Sequence, residues 1–239
     1  DEVYYKWDSI TTNAEFPPMD GVGGVFFNGK YRLYGGWNPT IYNASGNTTN
    51  KIYSSTLGKN WVEEVTPLWT PRHTYGTLVH NNKVWILGGD CSQNGIAHKD
   101  VWSSSDGVNF NIVNANVPWS NRVLAQYAVF NNKMWVMGGL KFSFCNIQYG
   151  DSLFYNDMWN SSDGISWTQV AASSPWEARG MVGGHAVLNN RLFLLGGGHY
   201  DVRKYFNDVW STADGISWKK HLSSAPWNPR QYHDVATWD

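Results

Sequence analysis

Four times in this 239-residue chain a tryptophan stands three residues ahead of an arginine. The phrases are PLWTPR, PWSNR, PWEAR and PWNPR, giving Trp69 with Arg72, Trp119 with Arg122, Trp176 with Arg179 and Trp227 with Arg230. An aromatic face stacks on a pyranose ring and a guanidinium grips a carboxylate in a bidentate way, so these pairs suit sugar hydroxyls and acidic groups. The repetition itself supports a structural use, with arginine capping loop carbonyls and tryptophan covering an edge between copies. Both uses stay open at this point. Tyr42, His199 and Tyr200 join the candidate ligand-binding residues, because they lie in segments where the copies differ most.

Other chemistry is sparse. None of the seven histidines forms an HxH or HExxH pattern, so a metal would need His73, His98, His199 or His233 to converge through the fold. No Ser, His and Asp triad, phosphate loop or isolated carboxylate pair stands out, and the sequence assigns no catalytic residue, metal or cofactor. Cys91 and Cys145 fall in the same loop of successive copies, where a bridge would imply an oxidising compartment; the alternative is two unrelated thiols. Three sequons begin at Asn43, Asn47 and Asn160; the first two lie in a polar loop tip, the third beside Trp159.

With 15% charged residues and a net charge of -1, the chain offers no polyelectrolyte surface, which excludes nucleic acid as a partner. No apolar run approaches the length of a membrane span, so no membrane insertion is expected. The opening residues DEVYYKWDSI lack the basic and apolar regions of a signal peptide, and a start at Asp1 suits a processed secreted protein.

The elements that position these residues are written as a repeat of roughly fifty residues. NNKVWILGG (81 to 89) returns as NNKMWVMGG (131 to 139), NNRLFLLGG (189 to 197) and, more loosely, NGKYRLYGG (28 to 36). A second phrase follows each: KIYSSTLGKNW, DVWSSSDGVNF, DMWNSSDGISW and DVWSTADGISW. Asn81-Asn82 and its counterparts predict a two-residue hairpin between strands one and two; Asp106-Gly107, Asp163-Gly164 and Asp214-Gly215 predict another between strands three and four. A four-stranded sheet of this size cannot shield both faces alone, so the copies must pack face to face around an axis. The predicted fold is an all-β propeller of four-stranded antiparallel blades at 19–71, 72–121, 122–178 and 179–229, forming a single domain over 1–239. Trp102, Trp159 and Trp210 on strand three, with Tyr53 in the first copy, and Trp61, Phe110, Trp167 and Trp218 opening strand four, would be wedges between blades.

The ends align as the halves of a further copy, with Trp7 on Trp218, Phe16 on Trp227 and Met19 on Arg230. This predicts a split fifth blade from 1–18 and 230–239, in which 231–239 is an inner strand and 6–12 an outer one. Because two strands leave unpaired backbone between them, a larger ring of six or seven blades is the favoured reading. Alternating strand directions put the two-residue turns on one face of the disc. The other face carries the links and the long loops at 37–50, 90–100, 140–157 and 198–208.

The apolar run into Gly-Gly (Gly35-Gly36, Gly88-Gly89, Gly138-Gly139 and Gly196-Gly197), a spaced aromatic on strand three and a later tryptophan together resemble the kelch repeat over essentially the whole chain. The resemblance implies four-stranded blades with strand one nearest the axis, and a ring often closed by a split blade. The expected role is a secreted, non-catalytic recognition or structural module that binds a protein or glycan partner through the loop face, within a larger extracellular assembly. Kelch-like blades also occur in sialic acid mutarotases, in copper oxidases of the galactose oxidase type and in intracellular adaptors, so a sugar-handling enzyme or an adaptor is the alternative. An axial pocket in which a lone carboxylate faces an arginine pair would favour the mutarotase.

Overall fold

Each complete copy of the repeat folds into one antiparallel sheet whose neighbouring strands are consecutive in the chain. The structure, a computed structural model, describes residues 7–40, 47–65, 67–90, 97–141, 154–180, 184–199 and 203–237. Blade one holds β1 (Gly23–Phe27), β2 (Lys30–Trp37), β3 (Thr48–Ser55) and β4 (Val62–Glu63). Blade two holds β5 (Gly76–His80), β6 (Lys83–Leu87), β7 (Val101–Ser104) and β8 (Asn111–Asn114). Blade three holds β9 (Gln126–Phe130), β10 (Lys133–Leu140), β11 (Phe154–Ser161) and β12 (Thr168–Ala171). Blade four holds β13 (Gly184–Leu188), β14 (Arg191–His199), β15 (Lys204–Thr212) and β16 (Trp218–Leu222). The four sheets are arranged as a four-bladed propeller, and the described residues contain no helix. Innermost strands touch in sequence: β1 meets β5, β5 meets β9 and β9 meets β13.

The first hairpin of every blade turns on two residues with positive φ, such as Asn81 and Asn82 at 49° and 53°. This is the handedness that matches strand twist, and asparagine and glycine tolerate it best. The Asp-Gly pairs behave differently from the expectation. They sit in open loops, since β7 runs to Ser104 and β8 resumes at Asn111. The reason is the aspartate side chain: Asp106 Oδ1 accepts from the backbone N–H of Val108 and Asn109 at 2.8 Å, and Ser104 Oγ donates to it. These bonds supply the partners that a tight ladder would have provided.

The Gly-Gly pairs end the regular part of strand two. Gly138 and Gly139 have φ of 58° and 101°, and the pairing between β10 and β11 shifts register there. A Cβ on Gly138 would lie 2.9 Å from the Arg179 carbonyl, so the position needs both the left-handed backbone and the missing side chain. The bulge lets the Gly139 N–H donate to that same carbonyl at 2.9 Å, tying the blade to the link that leaves it.

Apolar slabs fill the three interfaces between consecutive blades. Tyr34 and Ile52 meet Trp69, Ile86 and Phe110; Trp85 and Leu87 meet Trp119, Met134 and Trp167; Trp135 and Met137 meet Trp176, Leu194 and Trp210. Each link ring stands edge-on to the ring opening strand four of the next blade: Trp69 to Phe110 at 78°, Trp119 to Trp167 at 83° and Trp176 to Trp218 at 81°. Phe16 repeats the contact on Trp61 at 5.1 Å and 87°, so the segment before blade one is built as a link.

The ends depart from the expected split blade, because residues 7–12 and 231–237 carry no strand. The tail instead lies against β13, where Gly184 N–H donates to His233 Nε2 at 3.0 Å. With no pairing partner on its outer side among the described residues, its backbone has no ladder to join.

Gly138→Ala should cost about 2 kcal/mol or more, from the left-handed backbone and the 2.9 Å approach to the Arg179 carbonyl. A urea midpoint equal to that of the wild type would show that the bulge is not required. The backbone N–H groups around Asp163 (Ser166 foremost) and Asp214 (Ile216 foremost) hold both carboxyls below the usual range. A depressed carboxylate adds stability above its unfolded pKa of about 4, and that stability is lost as pH falls through the folded value. Asp214→Asn should therefore flatten the acid end of the stability profile; an unchanged profile in acid titration counts against the cap.

Candidate functional site

Of the four Trp and Arg pairs, three are committed inside the protein. Arg72, Arg122 and Arg179 lie between blades, each almost without solvent exposure. Arg122 Nη1 and Nη2 donate to Asp157 Oδ1 and Oδ2 at 2.7 and 2.8 Å, and Nη1 also donates to the Gly138 carbonyl at 2.8 Å. Arg72 makes the same set with Asp100 and Gly88, and Arg179 with Asp208 and Gly196. A tryptophan indole on the third strand completes each aspartate: Trp102, Trp159 and Trp210 donate at 2.7–2.8 Å. Burial pushes Asp100 and Asp208 up, but the hydrogen bonds and charge of their arginines outweigh it and leave both carboxyls below the usual range. Trp69, Trp119 and Trp176 are as buried as their arginines. With no exposed surface, these six side chains cannot reach a ligand, and they serve the packing role.

The remaining candidates are scattered. Trp227 is half-buried and Arg230 exposed, its Nε donating to Asn228 O at 3.1 Å. His199 stacks on Phe154 at 4.1 Å and stands edge-on to Phe206, on the loop face. Tyr42, Tyr200, Asn43, Cys91 and Cys145 lie outside the described residues. Asn47 is half-buried with its amide on the Pro39 carbonyl, whereas Asn160 is buried within β11, which leaves a glycan no exit from the folded protein.

The concave site lies elsewhere, on the propeller axis. A cavity of about 800 Å³ is lined by the segments entering the four inner strands, Asp20–Gly24, His73–Thr77, Leu124–Tyr127 and His185, and by Trp37 and Tyr232–Asp234. Each inner strand follows a link, so the cavity sits toward the face that carries links and long loops. His185 Nδ1 is 2.9 Å from Gln126 Oε1. With the amide oxygen accepting, Nδ1 carries the proton and Nε2 keeps its lone pair. Burial lowers the His185 pKa and keeps the ring neutral. Tyr75 donates to the Tyr34 carbonyl and accepts from Gly23 N–H, and burial raises its pKa. Thr74 Oγ1 and the Tyr127 hydroxyl are buried without a hydrogen-bond partner. Unpaired buried hydroxyls are costly and call for a partner.

Carboxylates from Asp20 and Asp234, imidazoles from His73, His185 and His233, and the phenols of Tyr75, Tyr127 and Tyr232 are the titratable groups among the described lining residues, which include no lysine or arginine. No group of three His, Cys, Asp or Glu side chains among the described residues could hold a metal ion. His73 and His233 share the cavity, while His98 lies beside Arg72, where burial first and that charge second lower its pKa to about 4.

Sequence reasoning missed this cavity because it looked for repeated residues. The available signal was a departure: Gln126 opens β9 where Gly23, Gly76 and Gly184 open the other inner strands. The solved structure of YjhT resembles the chain with a TM-score of 0.70 at 17% identity, over 91% of this chain and 74% of that one. No protein-family model and no curated protein matches the sequence.

Removing one member of a buried pair strands the other charge, so Arg122→Met should cost about 3–5 kcal/mol. Adding Asp157→Asn should recover part of that loss. If thermal unfolding shows the single and double variants equally stable, the pair is not what holds blades two and three together.

Proposed function

We propose that the axial cavity binds a small neutral sugar and that the protein acts on it by proton transfer. The observation that carries this reading is an oriented, neutral His185 in a cavity of about 800 Å³ that is also lined by Trp37, Tyr75 and Tyr232. Such a lining offers hydrogen bonds to sugar hydroxyls and aromatic surface to a ring. Ring opening of a reducing sugar needs one base and one acid. The base takes the anomeric hydroxyl proton as the C1–O5 bond breaks, and the acid gives a proton to O5; closure from the opposite side of C1 reverses both transfers. His185 is assigned as the base, and water entering the open cavity gives the proton to O5.

The kelch resemblance supports a sugar-handling enzyme, with one departure from a sialic acid site. The guanidiniums that would meet an acidic sugar are turned away, onto Asp100, Asp157 and Asp208. A lining whose formal charges are carboxylates repels an anionic substrate and leaves a neutral sugar as the better fit. A non-catalytic recognition module working through the loop face is the second reading, favoured by the half-buried His199 between Phe154 and Phe206.

Exchange spectroscopy on the anomers of galactose, glucose and N-acetylglucosamine should show acceleration by the protein, and sialic acid none. His185→Gln should slow the exchange by about 100-fold while the fold persists. In wild type the rate should hold at neutral pH and fall as pH drops through the lowered His185 value. Acceleration absent for every sugar, or equal in His185→Gln, would overturn the proposal.

A further inference from the structure

Three of the four inner strands open on glycine, and the reason lies across the blade interface. A Cβ on Gly23 would overlap Thr77, one on Gly76 would overlap the Tyr127 ring and one on Gly184 would overlap Val235. In each case the next segment round the axis packs straight onto bare backbone. Thr77, Tyr127 and His185 are the second residues of β5, β9 and β13, so His185 is the residue whose place is over position 126. Position 126 is glutamine, and the two side chains meet through a hydrogen bond instead, with Oε1 2.9 Å from His185 Nδ1.

Both members of this one contact therefore leave the pattern of the repeat together. Packing alone is served by glycine beneath threonine, tyrosine or valine, as the other three contacts show. Gln126 is only 8% exposed, so its amide has been taken out of water to make the bond, a cost that packing does not require. The pair stands in the lining of the axial cavity, where a departure from the repeat reaches a ligand rather than another blade.

We infer that Gln126 is the positioning residue of the axial site: its amide oxygen holds the Nδ1 proton of His185, keeps the ring from turning onto β9, and so presents the Nε2 lone pair to a substrate hydroxyl. This rests on the reading of His185 as the base. An amide suits the task better than a carboxylate, because it orients the ring without a charge that would stabilise the imidazolium. Burial holds the His185 pKa down, and no charged partner offsets it. The other titratable groups of the described lining are Asp20 and His73 from the segments entering β1 and β5, His233 and Asp234 from the tail, and the phenols of Tyr75, Tyr127 and Tyr232. Glutamine at this position therefore keeps the base free of its proton at neutral pH, where glutamate would hold the proton on.

Two replacements in the whole chain separate orientation from space. Gln126→Met keeps the length of the side chain and removes the acceptor, whereas Gln126→Glu keeps the acceptor and adds charge. Proton–nitrogen correlation spectra, with the His185 signals identified by their loss in His185→Gln, should show the Nδ1–H tautomer in wild type. That tautomer should lose its dominance in Gln126→Met and persist in Gln126→Glu, where the titration midpoint of the ring moves to higher pH. With galactose as the probe, Gln126→Met should lower kcat for anomer exchange about tenfold or more and leave KM within about twofold. In Gln126→Glu the acid limb of the rate should move up in pH, with the wild-type rate recovered above it. An unchanged tautomer in Gln126→Met, or an unmoved midpoint in Gln126→Glu, would overturn the inference whatever the sugar shows. Both spectral changes in a protein whose wild type leaves galactose exchange unaccelerated would support the hold on His185 and sink the sugar reading alone.

Discussion

Everything in this propeller is referred to a clamp of one arginine on two sheets. Arg179 shows it most fully: its backbone joins blade three through Tyr155 and Gly139, and its guanidinium is held in blade four by Asp208 and the Gly196 carbonyl. One residue therefore sets the distance and the angle between two sheets. The guanidinium tolerates burial because nearly every donor is satisfied, Nε included, which donates to the carbonyl of Glu177. Aromatic faces close the remaining sides, with Phe206 4.1 Å from the Arg179 head and Tyr155 4.5 Å from that of Arg122.

Blade one shows what replaces the clamp. Met19, Lys51 and Tyr53 stand where the other blades have arginine, aspartate and tryptophan, so the whole set changes together. Lys51 turns to Glu63 at 2.9 Å, and the entrance to the blade is held by apolar contact of Phe16 with Tyr53 and Trp61. A guanidinium entering beside a lysine would have been worse than none.

The fold was written openly in the sequence because its signals are local. Paired asparagines force a tight turn of one hand, double glycines mark a bulge, and the spacing of aromatics gives the side of the sheet. The Asp-Gly loops were misread because glycine after aspartate fits a tight turn as well as a side-chain cap, and the choice depends on Ser104 and its counterparts meeting the carboxylate. The clamp was visible as a recurring arginine, but recurrence left packing and ligand binding both open, because the deciding aspartate lies 28 residues from Arg72 and 35 from Arg122. The axial cavity was illegible. Its lining comes from the same few positions in successive blades, and nothing in a linear pattern says that Gln126 and His185, 59 residues apart, share a hydrogen bond.

The unequal flanks of the blades bear on how the molecule comes apart. Blades two and three are pressed by a sheet on both sides, whereas blade one is flanked on its outer side by the extended chain around Phe16, and blade four by that around His233. In a linear array of sheets coupled to nearest neighbours, fraying starts at members with a single strong neighbour. Amide protection is then graded along the chain, deepest in β6 and β10 and shallowest in β4 and β16. Thermal motion would loosen the outermost sheets while the two central ones, with Trp119 and Arg122 between them, persist as a core.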